Sequence, residues 1–187
     1  MVGPTAFITA WSVLGATTAG YSTVDDAISR LAASDAPTRA AMSAGFGVFG
    51  AGMILYGAAI RTALPGRAWA LAMTTGVATL GVAALPLETS AGDTPHQVAA
   101  ATGYATLAAL PVVAAVSLAR SGRRGWARYS VGTGVASVLC LVASAVGPGH
   151  GLFQRAGLTV VDAWVIATAL DVLRRPHGYA GPGGGTT

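Results

Sequence analysis

Lysine is absent from this sequence, cysteine occurs once, and only 10% of the 187 residues are charged. An ordinary soluble domain is about 25% charged. A chain 53% apolar with so few charges could not cover the surface of such a domain. The single Cys140 excludes an internal disulfide, a CxxC redox pair and a thiolate-rich zinc site. It falls inside an apolar run and reads as a small packing residue. With no lysine, the net charge of +4 rests on eleven arginines. In a soluble protein that balance would raise nucleic acid as a partner. Here the arginines sit in short connections between apolar runs, so they read as a membrane-topology signal and no nucleic acid is expected.

What remains is hydrocarbon-length sequence, with a mean hydropathy of +0.60. Six apolar runs stand out, at residues 3–20, 41–60, 68–87, 96–118, 129–146 and 152–173. They are too long and too uniformly apolar for barrel strands. A helix satisfies its own backbone in lipid, so the expected fold is all-α: a polytopic bundle of six transmembrane helices. The first run lacks a positive n-region and more spans follow, so it reads as a retained helix, not a cleaved signal. Residues 1–175 form one transmembrane domain in this reading, and the glycine-rich tail 176–187 is expected to be disordered and cytoplasmic. Pro111 should kink or loosen the fourth span. Between the first two spans, Ser22–Asp25 fits a capping pattern and Ile28, Leu31 and Ala32 share a face. That predicts a short helix lying at the interface.

The arginines give an orientation. Arg61, Arg67, Arg120, Arg123, Arg124, Arg128, Arg174 and Arg175 fall on one side, against Arg30, Arg39 and Arg155 on the other. The positive-inside rule then puts both termini in the cytoplasm of a multi-pass cell-membrane protein. Asp171 reads as a local helix-end partner of Arg174 and Arg175. Gly45-Phe-Gly47-Val-Phe-Gly50 matches G-x-G-x-x-G literally. It lies inside an apolar helix, with no preceding strand and no acidic residue about twenty positions on, so nucleotide binding is not expected. Ser43, Gly47 and Ala51, and again Gly132 and Ala136, make small-residue faces for helix contact, including a homodimer. No cofactor is expected.

Many of the polar residues gather on the side opposite the eight arginines. The three loops there carry Tyr21, Asp25, Asp26, Arg30, Glu88, Asp93, His96, Gln97, His150, Gln154 and Arg155, with Asp162 just below in the last span. One reading is a site that binds or organises a membrane lipid, an isoprenoid or another hydrophobic small molecule. Arg155 and Arg30 would face its phosphate, and Tyr21, Asp25, Asp26, His96, Gln97, His150 and Gln154 would complete the polar wall. The alternative is a small intramembrane enzyme, with Asp162, Glu88 or His96 as catalytic candidates. A desolvated carboxyl would hand its proton to a terpenoid or lipid. A third reading is that these groups only stitch the loops together. No HxxxH or HExxH spacing supports a metal, and no G-x-S-x-G elbow supports a serine nucleophile. A carboxylate facing lipid is costly. Asp162 is therefore expected to face the interior, within reach, directly or through water, of an outer-face cation or histidine such as Arg30, His96 or His150.

Several short motifs resemble the DUF998 family: Tyr21-Ser22, Ile28-Ser29-Arg30-Leu31 with Pro37, Leu85-Pro86, His96, and Gly151-Leu152-Phe153-Gln154-Arg155. The resemblance extends to about Leu173. It implies a six-helix membrane protein broadly like the Frag1/DRAM/Sfk1 group, some of which are linked to lipid organisation. The family carries no assigned activity, so the resemblance implies no catalytic residues.

Overall fold

The computed structural model describes residues 2–88 and 93–174. Among the described residues are six α-helices: α1 Val2–Thr17, α2 Arg39–Ala63, α3 Ala68–Ala84, α4 Thr94–Arg120, α5 Arg124–Val146 and α6 His150–Leu173. One 3-10 turn, Ile28–Ala32, lies between α1 and α2. No strand occurs among the described residues. The tail 176–187 and Arg175 lie outside them. Each helix coincides with one apolar run, and the chain turns where helix-incompatible residues cluster. Pro65-Gly66 separates α2 from α3, and Gly122 (φ +76°) separates α4 from α5. Pro111 does not break α4, which continues through it. Gly134 of α5 makes room there, since a Cβ on it would lie 3.0 Å from the Ala108 carbonyl oxygen and 3.5 Å from Pro111.

Consecutive helices pack side by side, and α6 returns to touch α1, α2 and α4 as well as α5. It therefore ties the two ends of the chain together. Trp164, Val161 and Val165 of α6 are fully buried with Met42 and Met53 of α2 and Leu110 of α4. The outward faces are just as apolar, carrying Leu55, Val77, Val98 and Leu139 exposed. An apolar exterior around an apolar core is what lipid, not water, demands. Four helices (α2, α4, α5 and α6) are long and apolar enough to cross a membrane. This is a membrane protein.

The closest helix contact joins α2 to α3. A Cβ on Gly76 would lie 2.5 Å from the Gly50 carbonyl oxygen, and one on Gly50 would lie 2.8 Å from that of Gly76. Gly50, the last glycine of the dinucleotide-like triplet, thus serves backbone approach between helices. The ridge expected to do this, Ser43, Gly47 and Ala51, turns outward: Ala51 is exposed and Gly47 has open space over it. Gly132 is exposed too.

The two ends of the bundle differ. At one end Arg123 pairs with Asp171 at 2.8 Å, tying the α4–α5 connection to α6. This cross-bundle partner is one that the local reading of Asp171 did not name. Arg61 stacks over Trp69 and Arg123 over Trp126, with ring centroids 5.0 and 5.3 Å away. Ser117 bonds the Pro65 carbonyl at the same end. The other end gathers the α1–α2, α3–α4 and α5–α6 connections, and most of the polar residues lie there.

A candidate site under the loop end

The α1–α2 connection brings buried backbone into a membrane protein with little secondary structure to satisfy it, so partners must come from elsewhere. They come from the first turns of α6. Gly149 enters that helix with φ +75°, a conformation natural to glycine. Gly151 is buried so tightly that a Cβ there would collide with the Asp26 carbonyl. The Leu152 N–H donates to the Val24 carbonyl at 2.9 Å. Gln154 accepts the Ile28 N–H at 2.8 Å and donates to the Tyr104 hydroxyl at 2.5 Å. Arg155 donates through Nη1 to the carbonyls of Thr23 (2.9 Å) and Asp26 (3.0 Å), and through Nη2 to the Tyr21 hydroxyl. Its guanidinium also lies against the rings of Trp11 and Tyr21, at 5.4 and 5.5 Å. Tyr21 in turn donates to the Ala27 carbonyl at 3.0 Å. Burial pushes the Tyr21 phenol above its ordinary value, and the Arg155 charge opposes that shift.

These contacts explain why the expected interfacial helix does not form. The Ser22 pattern closes a turn: Asp25 N–H bonds Ser22 Oγ at 3.1 Å, and Asp26 N–H bonds the Ser22 carbonyl at 2.8 Å. Arg155 then takes the Thr23 and Asp26 carbonyls that a continuing helix would use. Only the 3-10 turn follows. Its Ile28 and Leu31 are 2% and 1% exposed, so it plugs the bundle instead of lying flat on a membrane surface.

The other sequence candidates fall into separate groups. The Ser34 N–H bonds the Leu87 carbonyl at 2.9 Å and its hydroxyl reaches Glu88 at 3.2 Å, while Glu88 N–H bonds Asp93 at 2.8 Å. His96 is buried with Nδ1 2.6 Å from the Leu85 carbonyl. A carbonyl only accepts, so Nδ1 carries the proton and Nε2 is left as an acceptor. His150 turns to Ser144 of α5, with Nδ1 2.9 Å from that residue's carbonyl. Asp25, Arg30 and Gln97 are exposed at the rim. Among the described residues no three His, Cys, Asp or Glu side chains are grouped to hold a metal. The structure thus joins Tyr21, Asp26, Gln154 and Arg155, and adds Trp11 and Tyr104, which the sequence reading did not single out. Their signal was available: a polar-tipped aromatic in an apolar helix needs a partner.

Beneath the 3-10 turn lies a narrow cavity of about 40 Å³ between α1, α2, α3 and α4. Phe7, Phe46, Phe49, Val82 and Leu107 line it, with Ser29, His96, Tyr104, Thr75 and Thr79 as its polar wall. Asp162 and Glu88 do not line it. Asp162 lies seven residues below Arg155 on the same face of α6. It is 0% exposed, as expected of a carboxylate turned from lipid. No cation or histidine bonds it directly: neither carboxyl oxygen has a hydrogen-bond partner among the described residues.

The family model described as "Protein of unknown function (DUF998)" matches residues 1–171 of the 187, reaching into the last turn of α6. The chain belongs to the DUF998 family. No curated protein and no solved structure matches it. The Gly151–Arg155 segment of this DUF998 chain, one of the motifs that carried the resemblance, is the segment that ties α6 to the α1–α2 connection.

Proposed function

We propose that this DUF998 protein crosses the cell membrane six times, with both termini cytoplasmic, and holds part of a lipid-like molecule at its loop end. The observation that carries this reading is the cavity under the 3-10 turn: mostly apolar and aromatic residues line it, with a few polar groups from the turn, α3 and α4. Binding sites for small apolar ligands have this make-up. A volume of about 40 Å³ suits the end of one alkyl or isoprenyl chain, not a whole lipid. Two pairs of neighbouring residues join this cavity to the exterior. Ser29 and His96 line it, while Arg30 and Gln97, the next residues along, are exposed. Arg30 makes no ion pair among the described residues. It is the cation placed to meet a phosphate headgroup, whereas the Arg155 donors are already turned onto the loop.

The six-span reading draws support from α1 and α3. At 16 and 17 residues they measure about 24–26 Å, near the roughly 30 Å of a hydrocarbon core, and they pack against spanning neighbours. The arginine-rich end supports a cytoplasmic placement. Of the candidates for the enzymatic alternative, Asp162 and Glu88, the two carboxyls, do not line this cavity, and His96 does. Purified protein carrying Ala100→Phe, which fills the cavity, tests the reading. It should lose co-purifying lipid by mass spectrometry while a filler on the exposed face of α5, Leu139→Phe, retains it. Equal retention would end the proposal.

A further inference from the structure

Four buried side-chain atoms among the described residues have no hydrogen-bond partner: Trp11 Nε1, Arg155 Nε and both carboxyl oxygens of Asp162. All four belong to α1 and α6, which pack together. Elsewhere the interior is well satisfied. Trp164 donates to Ser130 at 2.8 Å, Tyr56 bonds Thr168 at 2.7 Å, and Ser137 donates to the Gly157 carbonyl at 2.8 Å. A fold that pairs these groups and leaves four atoms open on two touching helices is not merely loosely packed there.

The open atoms are two donors at the loop end and an acceptor pair lower down. Trp11 and Arg155 are in contact, and Asp162 follows about 10 Å along α6. A partner must accept from the first two and serve a carboxyl at the third. Water does both. A metal ion would need several ligands, and none are grouped here among the described residues. Compensating charge is also distant. Helix α1 contains no charged residue. Helix α2 carries Arg39 and Arg61 near its ends, α4 carries His96 at its start and Arg120 at its end, and α5 has Arg124 and Arg128 in its first turns. On α6 itself His150 turns to the Ser144 carbonyl, Arg155 is turned to the loop and Asp171 is paired with Arg123. Of the tyrosines of the packed helices, Tyr56 and Tyr104 bond Thr168 and Gln154, and Tyr129 of α5 is exposed.

We propose that Asp162 is a proton-binding site inside the bundle, reached by water from the loop end along the α1–α6 seam past Arg155 and Trp11. Loading takes one proton from that water and neutralises one negative charge within the membrane; unloading returns it by the same route. The site is separate from the lipid cavity and does not depend on it.

Infrared spectroscopy of the full-length protein in liposomes tests this. A carboxylic-acid C=O band should appear in the wild type, shift on transfer to D₂O, fade as pH is raised, and be lost in Asp162→Asn. Trp11→Phe should slow the D₂O shift. A band at no accessible pH, or one indifferent to both D₂O and pH, would overturn the proposal. If the Asn variant fails to fold, carbodiimide labelling of the wild type replaces it. The protonated carboxyl adds across the carbodiimide, and the mass increase should map to Asp162 and decline with rising pH. Labelling confined to the exposed carboxyls would likewise overturn it.

Discussion

The side-chain oxygen of Gln154 and the backbone N–H of Ile28 are 126 positions apart in sequence and 2.8 Å apart in space. This bond, with the three that Arg155 makes, lets a non-helical segment sit buried over the end of a membrane bundle. One acceptor on Gln154 and the guanidinium donors of Arg155 do the work of the missing secondary structure.

Gln154→Ala should therefore destabilise the protein by about 1–3 kcal/mol, because the buried Ile28 N–H loses its acceptor. Arg155→Lys should also destabilise it, since an ammonium cannot reproduce the planar fork that reaches Thr23, Asp26 and Tyr21 together. Thermal unfolding in detergent measures both. A midpoint equal to wild type for either would mean that the loop is held by something else.

Glycines in α2 and α3 should divide sharply. Gly76→Ala pushes a methyl group into the Gly50 carbonyl and should cost about 1–3 kcal/mol. Gly47→Ala meets open space and should gain up to about 1 kcal/mol from helix propensity. The same melting experiment checks the pair, and a reversed order would show that the α2–α3 crossing is misplaced.

That division marks where the sequence stopped being legible. The six helices could be read because runs of uniform apolarity end at turn residues such as Pro65-Gly66 and Gly122. Uniform apolarity also hides which face is which: a helix with lipid on one side and protein on the other shows little contrast around its circumference. The ridge of Ser43, Gly47 and Ala51 was thus chosen over Gly50, which makes the contact. The gathering of Tyr21, Asp26, Gln154 and Arg155 at one end followed from topology alone. Their bonding to loop backbone depends on where α6 lies among its neighbours, and no local pattern encodes that.

Orientation can be read on a Cys140→Ala background, which removes the single native thiol. A membrane-impermeant maleimide applied to intact cells should label Asp25→Cys and spare Arg120→Cys until the membrane is opened. Both positions are exposed, at opposite ends of the bundle. The opposite pattern would invert the topology, and labelling of both in intact cells would break the six-span arrangement.

The cavity beneath the 3-10 turn can be interrogated most directly by photo-crosslinking. The protein would be reconstituted with a phospholipid carrying a photoreactive group near the end of one acyl chain, irradiated, digested and mapped by mass spectrometry. The account predicts adducts on the peptides containing Phe46 and Phe49 and on the α4 peptide around Ala99–Gly103, lost in Ala100→Phe and reduced in Arg30→Gln. Adducts confined to outward residues such as Leu55 and Leu139, unchanged in both variants, would contradict it.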